Sequence, residues 1–283
     1  MIAGYGITEA FGGTLTVHSG GTESAFDFAA FRAANAPDPD RVVFVPAVVD
    51  YGRLAAPEGD AALAGTYSPR LRGDFTFVQA VSGAGTCKVK FNAESESGGA
   101  SGGAVVYGKC TVRDHAGKVV GKFDVGGGET VHEFAASVGE VYRFEMTRSN
   151  SGLIRVAGIV PGCGIVADGL VPLYKEAGTV LYFRVPAAAR QVMVFAATDD
   201  SATVEVLDST GTVLDSVQMS SKLRSYGKVM AFDREATAAD EIWSVRCPQM
   251  SADCLIRIGG DALPFLSTES AALPRLLPVA PGS

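Results

Sequence analysis

The amino-acid sequence predicts a mostly β protein: two tandem antiparallel β-sandwiches, of jelly-roll or Ig-like type, behind a small mixed α/β N-terminal segment. Three observations carry this reading. Short runs alternate apolar and polar residues and are separated by turn residues, the pattern of half-buried strands. The 283 residues include 34 glycines and 13 prolines, punctuation that suits many short strands better than long helices. One phrase also occurs twice, as CTVRDHAGKVV from Cys110 and as ATVEVLDSTGTVL from Ala202. Each is an alternating strand, an Asp-x-x-Gly turn and a second strand, so the chain reads as two related units.

Taken in order, residues 1–23 are rich in Gly and Thr and hold one alternating run from Thr14 to His18, a strand. Residues 24–35 read as a short helix: Phe28 and Phe31 are three apart, alanines fill the turns, Ser24 offers a cap and Pro37 follows Asn35. The apolar, β-branched run from Arg41 to Tyr51 reads as a strand bent or ended at Pro46. Residues 52–72 form a long connection, which makes 1–72 a segment of its own.

From Gly73 the pattern becomes regular. Strands are expected at 74–80, 86–93, 104–114, 118–125, 131–136, 140–148 and 153–160, with a Gly/Ser-rich loop at 94–103; together they make a first sandwich over 73–160. The stretch Pro161-Gly-Cys-Gly164 reads as a joint. A second sandwich over 161–266 repeats the series at 180–186, 191–197, 202–208, 212–219, 227–232, 241–247 and 254–259. Two more phrases align the copies. Phe75-Thr-Phe-Val78 answers Tyr182-Phe-Arg-Val185, and Gly139-Glu-Val-Tyr-Arg-Phe144 answers Asp240-Glu-Ile-Trp-Ser-Val245. The apolar residues of the tail, 267–283, predict that it packs back on a domain.

Composition narrows the function. Hydrophobic residues make up 47% and charged residues 19%, so the chain folds around a core. The net charge is −7 and the basic residues form no stripe, which argues against a nucleic-acid partner. No apolar run approaches the roughly 20 residues of a membrane helix, so no membrane insertion is expected. The start lacks the basic and apolar regions of a signal peptide. Of five cysteines none forms a CxxC pair, and no histidine stands at zinc-finger spacing. The couples Cys87/Cys110 and Cys247/Cys254 are candidates for disulfides, against the simpler reading of buried free thiols, and Cys163 is left over.

Candidate chemistry is sparse. Ser101 lies in a G-x-S-x-G match, but polar loop precedes it and a strand follows, the wrong context for a nucleophile elbow. His18, His115 and His132 are scattered. A glycosidase needs two placed carboxyl groups, and among Glu9, Asp27, Asp50, Asp199 and Asp200 no spacing picks out a pair. Asp199 and Asp200 are adjacent in a loop and are the candidate calcium ligands, weighed against a solvated turn; no other cofactor is expected. Trp243 reads as a core anchor, and Tyr174, Tyr182 and Tyr226 are the candidate ligand-binding aromatics.

The runs Leu181-Tyr-Phe-Arg-Val-Pro186, Ala202 to Gly211, Glu241-Ile-Trp-Ser-Val245 and Leu263-Pro-Phe-Leu266 resemble the β-sandwich accessory modules of bacterial glycoside hydrolases. The first copy is similar also to pre-peptidase C-terminal modules. The resemblance covers roughly residues 73–266 and carries over no catalytic residue. It implies a non-catalytic, carbohydrate-associated role outside the cytoplasm, with carbohydrate or an adjoining catalytic domain as partner. The rival expectations are a glycoside hydrolase with its site near the N-terminal segment, using residues such as Glu9 and Asp50, and a protein-binding adhesion or assembly module.

Overall fold

The computed structural model describes residues 14–19, 22–27, 42–58, 63–81, 85–97, 105–198, 201–219, 227–251 and 253–277. The chain divides into two compact units, Met1–Val43 and Phe44–Ser283. The first contains a hairpin of β1 (Thr14–Ser19) and β2 (Thr22–Asp27), paired from Thr14 with Asp27 to Ser19 with Thr22. This corrects the expected helix over 24–35, because residues 24–27 are strand. The dipeptide Gly20-Gly21 between two β-compatible runs is hairpin-turn sequence, and this local pairing outweighs the helical spacing of the phenylalanines. Residues 28–35 lie outside the described set.

Among its described residues the second unit is all β apart from two single-turn 3-10 segments. Its N-terminal part contributes β3 (Leu54–Ala55). The first sandwich is built from β4 (Phe75–Ala80), β5 (Gly85–Ser95), β6 (Val106–Arg113), β7 (Val119–Gly126), β8 (Gly128–Ala136), β9 (Val141–Arg148), β10 (Gly152–Gly158) and β11 (Cys163–Val166). Next come β12 (Val171–Tyr174) and the second series: β13 (Thr179–Val185), β14 (Gln191–Thr198), β15 (Ala202–Leu207), β16 (Val213–Met219), β17 (Lys228–Asp233), β18 (Glu241–Met250), β19 (Asp253–Gly260) and β20 (Phe265–Leu266). The last strand is β21 (Arg275–Leu276), paired with β3.

The internal repeat holds at the level of topology. One sheet runs β7-β6-β9-β4-β11, and its counterpart runs β16-β15-β18-β13, with β20 beside β13 through the Tyr182–Ser267 bridge. The facing sheets run β8-β5-β10 and β17-β14-β19. The two Asp-x-x-Gly turns share their backbone bonds and one side-chain bond. Gly117 N donates to Asp114 O at 3.0 Å and Gly211 N to Asp208 O at 3.1 Å; both glycines have positive φ, +82° and +83°. The Asp side chains accept from Lys118 N and Thr212 N. The turns are therefore fold chemistry, with Gly supplying the left-handed residue and Asp holding the backbone. A fourth repeated phrase, Leu153-Ile-Arg-Val-Ala-Gly158 and Leu255-Ile-Arg-Ile-Gly-Gly260, occupies β10 and β19.

One expected alignment is corrected. Phe144 pairs with Phe77, whereas its counterpart Val245 pairs with Leu181, so Phe75–Val78 corresponds to 179–182 and not to 182–185. The cause is two-faced burial: four consecutive residues of β4, from Phe77 to Ala80, are buried, so alternation there does not fix the register.

The two copies are zipped together along both layers. The Pro161–Gly164 stretch leads into β11, which pairs with β4 on one side and β20 on the other. The first layer thus continues through Ser267, whose N donates to Tyr182 O at 3.0 Å and whose O accepts from Tyr182 N at 2.7 Å. The second layer continues through Leu71, which bridges Ile154 of β10 and Leu173 of β12. Leu71 N donates to Ile154 O at 2.8 Å, and Tyr174 N donates to Arg70 O at 2.8 Å. Each layer reads as the same strand series from either end, with antiparallel pairing at the middle. This is the arrangement of an isologous dimer made in one chain. The main core lies between the layers and runs through both copies, from Phe91 and Phe144 to Phe183 and Ile258.

A smaller core lies on the outer face of the first layer, where Val78, Ala80, Val141 and Val166 are covered by Leu54, Leu263, Phe265 and Leu273. The tail therefore packs back on the sheet. The run from Arg41 to Tyr51, expected as a strand, makes only a single bridge, Pro46 with Gly259, within residues 42–50. Pro46 has no N–H to give a ladder. Gly259 leaves the space that this segment uses, since a Cβ there would collide with Val45 O and the Phe44 ring.

Candidate functional site

A cleft of about 320 Å3 lies on the outer face of the first layer. Three separate segments build it: Asp74 and Thr76 at the start of β4, Glu145 and Thr147 on β9, and Asp168 to Leu170 in the turn after β11. Strand alternation places Thr76, Glu145 and Thr147 outward, because Phe75, Phe77, Phe144 and Met146 point into the main core. Pairing of β4 with β9 sets Thr76 directly opposite Glu145. The volume falls at the lower end of small-molecule sites, roughly 300–1,000 Å3.

The carboxylates are held in place. Glu145 Oε2 accepts from Arg113 Nε at 2.8 Å, and Arg143 Nη2 stands 4.0 Å from its other oxygen. Asp74 Oδ1 accepts from Arg148 N at 2.8 Å. Beside the cleft the Tyr51 phenol is pushed up to about 12, first by burial and then by the charge of Asp168, while Arg143 opposes the shift. The Arg143 guanidinium lies 5.2 Å over the Tyr51 ring. Leu170, 50% exposed, gives the rim an apolar edge. The arrangement offers carboxyl oxygens and two threonine hydroxyls beside the apolar edge of Leu170. That equips it to receive hydroxyl or ammonium donors.

The sequence carries no signal for this grouping, since its residues belong to strands and a turn that only the tertiary fold brings together. The residues singled out from sequence stand elsewhere. Tyr174 lies at the junction of the second layer with Arg72 5.2 Å and Lys175 5.1 Å from its ring centroid, so cations occupy its surroundings. Around it Arg72 pairs with Glu96 at 2.6 Å and with Asp253 at 2.9 Å. Tyr182 packs against the outer core beside Ile242 and Leu276. Asp50 caps its own 3-10 turn, accepting from Gly52 N at 3.0 Å. Tyr226, Asp199, Asp200, Glu9 and Ser101 lie outside the described residues, and Asp27 is placed only as the last residue of β2.

Neither His115 nor His132 lines the cleft. His115 is a turn residue whose ring and backbone N both bond Glu140. His132 stacks on Phe123 with centroids 3.5 Å apart, and burial lowers its pKa. Trp243 is a core anchor, edge-on to Phe183 and Phe232, with Nε1 donating to Glu241 at 2.7 Å. All five cysteines are buried and free. Cys87 on β5 and Cys110 on β6 stand in opposite layers, and neither is in a disulfide.

Among the described residues there is no group of three or more His, Cys, Asp and Glu side chains that could hold a metal ion. None of their helices is long and apolar enough to cross a membrane. No protein-family model matches the chain, and a search of curated proteins finds no match.

Proposed function

We propose that this chain is a non-catalytic β-sandwich accessory module, carbohydrate-associated and working beside a glycoside hydrolase, with the outer cleft as its ligand site. The observation that carries the proposal is the pairing of the cleft carboxyl group of Glu145. A glycosidase needs two carboxyl groups free to reach the glycosidic bond. Glu145 instead is engaged by its neighbours: its Oε2 accepts from Arg113 Nε at 2.8 Å, and Arg143 Nη2 stands 4.0 Å from its other oxygen. Acceptors beside the exposed Leu170 side chain suit the hydroxyl and C–H faces of a sugar ring.

The test is titration calorimetry against glycans chosen from an array screen, using the wild type, Asp168→Asn and Leu170→Arg. Both positions are in the turn after β11, away from the main core, so the variants keep the fold. The expected result is binding weakened at least tenfold in each variant, about 1.4 kcal/mol. No glycan binding, or unchanged affinity in both variants, overturns the assignment. Hydrolysis of chromogenic glycosides that is lost in Asp50→Asn would establish the hydrolase reading in its place.

A protein-binding assembly module is the second reading, and one observation favours it. The outermost strands of the first layer, β7 and β16, carry exposed apolar pairs at equivalent positions, Val119-Val120 and Val213-Leu214. Edges without a partner strand among the described residues can accept another strand.

A further inference from the structure

Two thiols in the second sandwich face each other across the layers. Cys247 is on β18, in the sheet β13-β18-β15-β16, and Cys254 is on β19, in the facing sheet β12-β19-β14-β17. Both side chains belong to the main core, 1% and 0% exposed. They flank the short connection by which the chain crosses from one layer to the other, and the two side chains hydrogen-bond to each other.

The repeat shows that the fold does not require this pair. By the alignment of β9 with β18 and of β10 with β19, Met146 and Gly152 stand at the corresponding places of the first copy. The first copy closes the same crossover with a thioether and a glycine. The second copy has two cysteines there, in contact and inward-facing.

We propose that Cys247 and Cys254 form a disulfide when the chain folds in an oxidising environment, stapling the two layers of the second sandwich. The reaction is thiol–disulfide exchange with a small-molecule disulfide such as oxidised glutathione. One cysteine thiolate attacks it, forming a mixed disulfide and releasing one glutathione thiol. The other cysteine then displaces the second glutathione as a thiol. The two protein thiols lose two protons and two electrons, and one glutathione disulfide becomes two thiols. The exchange belongs to the folding chain, before the core closes. In the folded protein the hydrogen bond to Cys247, followed by burial, keeps the Cys254 thiol protonated and unreactive.

A second pair of thiols lies close: burial raises the pKa of Cys163 on β11, and the neighbouring Cys87 on β5 raises it further. Cys87 with Cys163 is therefore the internal competitor for oxidation.

The test uses the full chain refolded from denaturant in a glutathione redox buffer. The product is then denatured without reductant, alkylated with N-ethylmaleimide and mapped by peptide mass. Of the five cysteines, three are expected to be alkylated (5 − 2), with Cys247 and Cys254 in one cross-linked peptide. Adding a reductant is expected to lower the melting temperature by about 5 °C, the effect of opening a short loop in a chain of this size. Five alkylated cysteines would overturn the proposal. So would a cross-link elsewhere, as between Cys87 and Cys163, with Cys247 and Cys254 both alkylated. A melting temperature unmoved by reduction of the cross-linked protein would remove the stapling role.

Discussion

Replacing Leu71 by Asp is expected to lower the free energy of unfolding by about 4 kcal/mol or more, in the range where single substitutions become exceptional. Leu71 is fully buried and is the residue through which the second layer passes from one copy to the next. Its backbone exchanges bonds with Ile154, at 2.8 and 3.1 Å, and its neighbours Arg70 and Arg72 bond Tyr174 and Pro172. A carboxylate at this point loses the packing of the leucine and adds a charge that must be desolvated without a partner. Urea denaturation followed by circular dichroism measures the effect. A loss below about 1 kcal/mol would mean that the seam carries little of the stability.

Trp243→Ala is expected to cost about 3–5 kcal/mol, the usual range for deleting a buried aromatic. The ring is 5% exposed and meets Phe183 and Phe232 edge-on, with centroids 6.3 and 5.9 Å away. The Arg234 guanidinium lies 5.9 Å from its centroid, and Arg234 also pairs with Glu241 at 2.9 Å, so that ion pair survives the substitution. Because Trp243 is the only tryptophan, the unfolding of the variant must be followed by circular dichroism and not by indole fluorescence. A cost under 1 kcal/mol would contradict the core-anchor role and return the residue to the candidates for ligand contact.

The fold was legible where the physics is local. The Asp-x-x-Gly turns at Asp114 and Asp208 announce their hydrogen bonds in the sequence, because Asp reaches only its own turn and Gly alone adopts the required φ readily. Alternation located strands such as β13, whose buried residues fall on every second position, and β15, where the pattern holds from Ala202 to Val206. The duplication was also readable, although the plainest phrase pair, on β10 and β19, adds to the ones first aligned. Readability failed where pairing is non-local. The outer core removes alternation from β4, and the run from Val42 to Val49 is apolar enough for a strand yet finds no ladder beside Pro46. The seam depends on Leu71, Ser267 and β11 meeting partners far away in sequence, and nothing near them in the chain specifies those partners. The cleft suffers from the same problem, since Asp74, Glu145 and Asp168 are ordinary strand-end, strand and turn residues until β4, β9 and β11 lie side by side.

The central claim is that the two copies share their layers and core and so behave as one cooperative structure. Differential scanning calorimetry of the full chain tests it most directly. One main transition, with the calorimetric enthalpy equal to the van't Hoff enthalpy, is the predicted result, and the seam variant Leu71→Asp should move that whole transition to lower temperature. Two resolved transitions of comparable enthalpy, with Leu71→Asp shifting only one of them, would contradict the claim and make the copies independent sandwiches.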